Sequence, residues 1–189
     1  MISFTKPLPD SVTVDGVQYK VRTGFKTWLA FLEIYEDSRP FVQKCAELLK
    51  LCYMDTLPPT LIDAVEAMMR FFSCGREQKR PSSSAASMRR IVDFKEDAEW
   101  IYASFLSVYG LDLFCASLHW WQFTALFSAL PDDCRICQVM HYRAVDLSSV
   151  KDKEQKAFYR RMKRLYALPD NRSEEVKEAA LSDAFASFF

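Results

Sequence analysis

The sequence predicts a mainly α-helical protein, a compact bundle of about six to eight helices with a short N-terminal β-hairpin. The chain has 189 residues, half of them hydrophobic and only four of them glycine, a composition that favours helices over a many-turned β fold. Apolar residues recur at helical spacing along most of the chain. Asp15-Gly16 lies between two alternating runs, which predicts a two-residue hairpin turn because both turn positions need a positive φ. The length fits one domain, residues 1–189.

The first part of the chain is predicted to contain the hairpin, over residues 11–22, and helices over about 24–73. Thr23 can cap the first helix, and Pro40 suits the first turn of the second. A hairpin is marginal by itself, so we expect it to pack on the helices that follow.

A stretch without apolar periodicity comes next. Residues 74–91 contain a proline, a Ser/Ala tract and several basic side chains, so we interpret them as a flexible basic linker. A tether that contacts a polyanion is the alternative, and the zero net charge of the chain favours the linker. Helical signals return over residues 93–189. Asp93 and Glu96 have the spacing of a capping box, and Gly110 lies where a left-handed helix end is expected.

The segment Leu118–Leu130 is predicted to be the central core helix. Its sequence, LHWWQFTALFSAL, is apolar almost all round on a helical wheel, which is typical of a helix buried within a domain. Trp120 and Trp121 point about 100° apart, so we expect them to contact two different elements. The predicted helices at 93–109 and 151–167 each offer an apolar stripe, and we expect the central helix to fill the space between them.

The sequence contains no recognised catalytic or cofactor-binding motif. Cys134-x-x-Cys137 followed by His141 has metal-like spacing but lacks the second Cys/His pair of a structural zinc site. Four scattered glycines do not form a phosphate-binding loop. We therefore expect no enzymatic activity, no cofactor and no metal. An enzyme or zinc protein centred on Cys134, Cys137 and His141 is the least favoured of the hypotheses. All six cysteines are expected to be reduced, small core residues.

The charge and hydropathy of the chain argue against two classes of partner. Its 25 basic and 25 acidic side chains balance, which disfavours a general binder of nucleic acid or of membrane surfaces. No apolar run reaches the length of a membrane span, and no cleavable leader is recognised. The basic side chains of the predicted helix that begins at Ser149 are interpreted as a solvated face or as a contact for an acidic partner.

Several runs of the sequence resemble a known family. They are DFKEDAEWIYASFLSVYGLDL, LHWWQFTALFSALPDD, HYRAVDL and KEQKAFYRRMKRLYALP, together with the N-terminal LPDSVTVDGVQYKVRTGFKTWLAF. These runs cover nearly the whole chain and resemble the phage family known as bacteriophage gene product fifteen. The resemblance implies that the structural core of the family includes Trp100, Trp120, Trp121, Phe123, Tyr142 and Arg143.

The resemblance also implies a function. Members of this family lie in tail-gene modules of long-tailed phages and resemble tail assembly chaperones, which implies binding of the tape measure protein before the tail tube polymerises. The expected partners are that protein and also another tail assembly chaperone or the tail tube protein, in the cytoplasm of the host bacterium. The alternative is a structural or self-assembling tail component that forms a homo-oligomer. The expected contact residues are Lys156, Arg160, Arg161 and Arg164 on the basic helix, and Phe185, Phe188 and Phe189 at the C-terminus.

Overall fold

Seven α-helices and one β-hairpin form the part of the chain that the structure describes. The computed structural model describes residues 2–76 and 91–169, without the side chain of Phe41. The predicted fold class, mainly α with an N-terminal hairpin, is confirmed. In the described part of the chain, no helix meets the length and hydropathy that a membrane span requires. The elements are β1 (Ser11–Val14), β2 (Val17–Lys20), α1 (Phe25–Glu36), α2 (Phe41–Cys52), α3 (Leu61–Phe72), α4 (Ala98–Tyr109), α5 (Trp120–Ser128), α6 (Arg135–Ala144) and α7 (Lys153–Leu165).

The hairpin forms where the Asp15-Gly16 turn predicts it. Both turn residues have a positive φ, 49° at Asp15 and 79° at Gly16, as a two-residue turn of this kind requires. The strands pair antiparallel, with Val14 opposite Val17. Val12 and Val14 are buried and β1 packs on α3, whereas Val17 is 53% exposed. One strand therefore contributes most of the hairpin's core contacts.

Arg22, which follows the hairpin, completes the C-terminal end of α2. Its backbone N–H donates to the Cys52 carbonyl at 2.7 Å. Its guanidinium Nη1 donates to the carbonyls of Lys50, Leu51 and Tyr53. The last carbonyls of a helix have no partner within the helix, so this single side chain satisfies several of them.

The start of α1 is fixed by tertiary pairing, and the prediction of Thr23 as its cap is wrong. Gly24 is the N-cap residue. The Phe25 N–H donates to the Leu118 carbonyl at 3.0 Å, and the Trp120 N–H donates to the Thr23 carbonyl at 2.7 Å. The segments that precede α1 and α5 thus pair side by side, and this pairing sets where both helices begin.

Two further helix starts differ from the predicted ones. Pro40, expected inside the first turn of α2, is the N-cap residue of that helix. Helix α7 begins at Lys153 rather than near Ser149, because the side chain of Asp152 accepts the Gln155 N–H at 2.7 Å and so caps the helix there.

Asp93 does not cap α4, so the prediction of a capping box there is wrong. The Asp93 carboxylate accepts the N–H groups of Lys95 and Glu96 and caps a turn that precedes the helix. The N-cap of α4 is Asp97, whose side chain is occupied by an ion pair described below. The C-terminal end is as predicted: Gly110 has a φ of 65° and donates to the Leu106 carbonyl.

Helix α5 lies in the core, but not between the two helices predicted to flank it. It packs against α1, α3 and α4, whereas α7 packs on α6. The Phe123 ring stacks on Phe25 of α1 at 4.9 Å and on Phe105 of α4 at 5.2 Å between ring centroids. The helix is also shorter than the predicted Leu118–Leu130, because His119 is its N-cap and Ala129 its C-cap.

The two tryptophans of α5 are both buried, at 3% and 8% exposure. Both indole N–H groups donate to the C-terminal end of α3, Trp120 to the Phe72 carbonyl and Trp121 to the Phe71 carbonyl. Trp120 also stacks on Trp28 of α1. The two side chains therefore share α3 as a neighbour, and Trp120 reaches α1 in addition.

The predicted linker over 74–91 begins too early. Cys74 is buried at the end of α3, and its Sγ lies 3.2 Å from Oγ1 of Thr124. The remainder of that prediction, from residue 77 to residue 90, lies outside the described residues. Cys115 is exposed, and Cys134 and Cys137 are only half-buried, so the cysteines are not all core residues as expected.

The aromatic packing around Phe123 yields the first prediction. Replacing Phe123, which is fully buried, with alanine should reduce the free energy of unfolding by about 3–5 kcal/mol, because the lost ring leaves a cavity between α1, α4 and α5. The matched control is Phe114→Ala, since Phe114 is 77% exposed, and it should change the value by no more than about 0.5 kcal/mol. Denaturant unfolding measures both, and equal effects would contradict the central position of Phe123.

Candidate functional site

The cysteine–histidine cluster of the sequence does not form a metal site in the described residues. No group of three or more His, Cys, Asp or Glu side chains there is arranged to hold a metal ion. Cys134 is the N-cap residue of α6, and the Cys137 thiol donates to the Leu130 carbonyl. Burial raises the pKa of the Cys137 thiol, which disfavours the nucleophilic thiolate. His141 is exposed beside Tyr159.

His119 caps the N-terminus of α5. Its Nδ1 accepts the Trp121 N–H at 3.0 Å, and its backbone N–H donates to Oε1 of Gln122. Since Nδ1 is an acceptor, Nε2 carries the proton and donates to the Pro9 carbonyl at 2.9 Å. Burial lowers the pKa of this imidazole. The ring is thus held neutral, as a helix cap that also fixes the N-terminal segment.

A groove with a volume of about 520 Å³ lies between α1, α5 and the segment 92–96. Its floor is apolar and consists mainly of aromatic and leucine side chains, several of them half-exposed. Its rim is acidic, with Lys95 as the single basic side chain among the lining residues. The floor is formed by Leu29, Leu32, Phe72, Val92, Phe94, Trp120, Phe123 and Phe127, and the rim acids are Glu33, Glu36, Asp37 and Glu96. A fifth acid among the lining residues, Asp93, is buried.

Helical spacing explains how α1 contributes both to the floor and to the rim. Leu29, Leu32, Glu33 and Glu36 follow one another at three- and four-residue intervals, so they lie on one side of the helix. The leucines face α5 and the acids continue outward toward water. Trp120, Phe123, Thr124 and Phe127 repeat the same spacing on α5 and line the side of the groove that this helix contributes.

Lys44 and Arg39 hold the end of α1, where the rim begins. The Lys44 ammonium is buried and donates to the carbonyls of Tyr35 and Asp37, both at 2.6 Å. Arg39 lies between two carboxylates, with Nε donating to Asp37 and the two terminal nitrogens to Glu47. The hydrogen bonds from Arg39 lower the pKa of Asp37, so this rim carboxylate is ionised at neutral pH.

Sequence reasoning missed this groove. One signal was visible in the sequence, because Glu33 and Glu36 lie at helical spacing from Leu29 and Leu32. The pattern is that of an ordinary amphipathic helix, however, and it does not reveal that α5 and Glu96 meet the same face.

The basic helix α7 is the second candidate surface. Among the described residues, none of its thirteen side chains is buried. Arg160, Arg161 and Arg164 are exposed and Lys156 is half-buried. Two apolar side chains of the helix are exposed as well, Phe158 at 40% and Leu165 at 65%. The predicted contact residues Phe185, Phe188 and Phe189 lie outside the described residues.

The six residues that the resemblance assigns to the structural core lie in two connected clusters. Trp120, Trp121 and Phe123 belong to the aromatic packing around α5. Trp100 and Tyr142 are half-buried, and both contact the Tyr166 ring at the end of α7, Trp100 edge-on and Tyr142 stacked.

Arg143 joins four segments of the C-terminal half through a buried ion pair. Its two terminal nitrogens donate to the Asp97 carboxylate at 2.6 and 2.8 Å, with side-chain exposures of 7% for Arg143 and 0% for Asp97. The same guanidinium donates to the Ile91 and Tyr166 carbonyls. The N-cap of α4, residue 91, α6 and the end of α7 thus meet at one side chain.

These observations define a mainly α-helical protein with an N-terminal hairpin and an acid-rimmed, apolar groove. A family model described as Bacteriophage Gp15 protein matches residues 4–168 of the chain. The chain belongs to this family, so it is a phage protein, and the resemblance stated from the sequence is confirmed. No curated protein and no solved structure matches it.

The buried ion pair yields the second prediction. Arg143→Ala should reduce the free energy of unfolding by about 3–5 kcal/mol, because it leaves the Asp97 carboxylate buried without its counter-charge. Removing both charges, with Asp97→Asn and Arg143→Met together, should be less damaging than the sum of the two single changes, with a coupling of about 0.5–3 kcal/mol. Strict additivity in denaturant unfolding would contradict a direct pair. Arg39→Ala, at an exposed ion pair, is the control and should have a much smaller effect.

The His119 cap yields the third prediction, on pH. Because the folded chain resists protonation of His119 and the unfolded chain does not, the free energy of unfolding should decrease as the pH falls below about 6.5, the ordinary histidine pKa. His119→Asn keeps a capping side chain without a titrating ring. It should flatten this part of the pH profile, measured by thermal unfolding over a pH series. Identical profiles for the two chains would exclude His119 as the source.

Proposed function

We propose that the protein is a tail assembly chaperone that binds the tape measure protein before the tail tube polymerises. Membership of a phage protein family supports a role in the phage. The observation that carries the proposal is the groove between α1 and α5, with apolar side chains such as Leu29, Leu32 and Phe127 along its floor. We propose that it acts by binding, without catalysis or cofactor, in the cytoplasm of the host bacterium.

The shape and lining of the groove suit one face of an apolar-striped helix. A tape measure protein is long and helical, and its exposed apolar stripes would aggregate before tube subunits enclose them. A groove of about 520 Å³ falls within the usual size of a ligand pocket, roughly 300–1,000 Å³, and accepts a few side chains from one helix face.

Moderate affinity follows from the small size of the groove. Burial of two or three leucine- or phenylalanine-sized side chains contributes about 1.5–3 kcal/mol each, and the entropy lost on association offsets a large part of this gain. A chaperone needs this balance, because the tail tube must be able to displace it. The acidic rim adds selection for basic residues beside the apolar stripe, an effect that salt weakens.

A second candidate function is a structural or self-assembling component of the tail. The observation that favours it is α7, whose exposed face combines basic side chains with Phe158 and Leu165. Under either function, we propose another tail assembly chaperone or the tail tube protein as a further partner. Lys156, Arg160, Arg161 and Arg164 remain predicted contact residues for such a partner.

Co-expression tests the chaperone function and is the fourth prediction. The parent chain should raise the soluble fraction of a tape measure fragment and co-purify with it. Leu32→Asp should abolish both effects, because it places a charge on the groove floor. Ile62→Asp is the matched control, since Ile62 is 71% exposed and does not line the groove, and it should behave like the parent. Both variants are first compared with the parent by thermal melting.

Two outcomes would contradict this proposal. A fragment that stays insoluble with the parent chain, and does not co-purify, would contradict the chaperone function. A Leu32→Asp chain that folds and still solubilises the fragment would place the contact away from the groove.

A further inference from the structure

The chain carries two complementary surfaces. Helix α7, Lys153–Leu165, contains six basic residues and one acidic residue, a net charge of 6 − 1 = +5. The groove between α1 and α5 has the acids Glu33, Glu36, Asp37 and Glu96 at its rim and one basic lining residue, Lys95. Asp37 is paired with Arg39, so Glu33, Glu36 and Glu96 carry the charge argument. Opposite charge on two preformed surfaces favours and orients their association. The whole chain has zero net charge, so these surfaces arise from segregation of charge.

The apolar parts of the two surfaces also correspond. Phe158 and Leu165 are two helical turns apart, about 10 Å along the axis, and both are exposed. Arg161 lies between them on the same side of the helix. The groove likewise combines apolar side chains on its floor, such as Leu32 and Phe127, with carboxylates at its rim.

Helix α7 is held away from the groove of its own molecule. Its end is tied down at Tyr166, whose carbonyl accepts from Arg143 and whose ring stacks on Tyr142 of α6. Among the residues that line the groove in the described part of the chain, none belongs to α7. Within one molecule the two surfaces therefore do not meet.

We propose that the groove of one molecule binds the α7 helix of a second copy of the chain. The contact is heterologous, because two different surfaces meet, so each molecule can both donate its helix and accept another. Such contacts build rings when the rotation closes and open chains when it does not. This self-association requires no tape measure protein and goes beyond the chaperone function.

A helix from another protein that enters the groove would displace α7 of the neighbouring copy. Partner binding and self-association then compete for one site. In the absence of a partner, α7 covers the apolar floor, which limits unspecific aggregation.

Charge reversal with the purified full chain alone tests the proposal and is the fifth prediction. The parent should associate in a concentration-dependent way at low ionic strength, and added salt should weaken the association. Glu33→Lys with Glu96→Lys, and separately Arg161→Glu with Arg164→Glu, should each weaken association at least about tenfold, because attraction becomes repulsion at the contact. Sedimentation equilibrium measures the masses, and thermal melting checks that the exposed substitutions leave the fold intact.

A rescue variant and a control make the outcome specific. The chain with all four reversals restores opposite charges across the contact and should regain association. The control for the groove variant is Asp55→Lys with Glu66→Lys, which changes the net charge of the chain as Glu33→Lys with Glu96→Lys does. Both control residues are exposed and do not line the groove, so this variant should associate like the parent.

Three results would overturn the proposal: a parent chain that stays monomeric, association that survives both reversals, or a fourfold variant that does not recover. Survival of association in both reversals would mean that a different surface joins the copies. None of these results bears on co-purification with a tape measure fragment, so the two proposals fail separately.

Discussion

Two indole hydrogen bonds hold α5 against the end of α3, and the groove depends on them. Trp120 and Trp121 donate to the Phe72 and Phe71 carbonyls at 2.8 and 2.9 Å. The last carbonyls of a helix lack partners within it, and a buried indole N–H needs an acceptor, so each group satisfies the other. Because adjacent residues on a helix point about 100° apart, the pair fixes the rotation of α5 as well as its position. With this rotation Phe127 contacts Phe94 and lines the groove.

The C-terminal half is organised by a buried ion pair together with ring packing between α6 and α7. Arg143 pairs with Asp97 in the interior and donates to the carbonyl of Tyr166 at the end of α7. The rings of Phe158 and Tyr159 contact Tyr142 of α6, but none of the described side chains of α7 is buried. A helix attached in this way keeps its basic side chains in water. The acidic rim is fixed separately. Lys44 of α2 donates to the Tyr35 and Asp37 carbonyls and so holds the C-terminal end of α1. One chain of zero net charge thus presents an acidic groove and a basic helix in different places.

Much of the fold, and little of the candidate site, could be predicted from the sequence. The hairpin at Asp15-Gly16 and the helix end at Gly110 were predicted correctly, because a positive φ at these positions is a local requirement. The caps at Thr23 and Asp93 were not, since several neighbouring polar residues can cap a helix and a distant partner selects among them. The groove was missed because its walls come from separate parts of the chain.

The helical segments and the family of the chain could be recognised from local sequence alone. Helical periodicity and turn chemistry act over a few neighbouring residues and can be recognised without knowledge of the fold. The packing of α5 on α1, α3 and α4, and the position of α7 outside on α6, depend on contacts between distant segments and required the structure. The structure also shows that Glu33 and Glu96, which are distant in sequence, lie on the rim of one groove. Such a surface exists only when distant segments converge, and many amphipathic helices share the local pattern that precedes it.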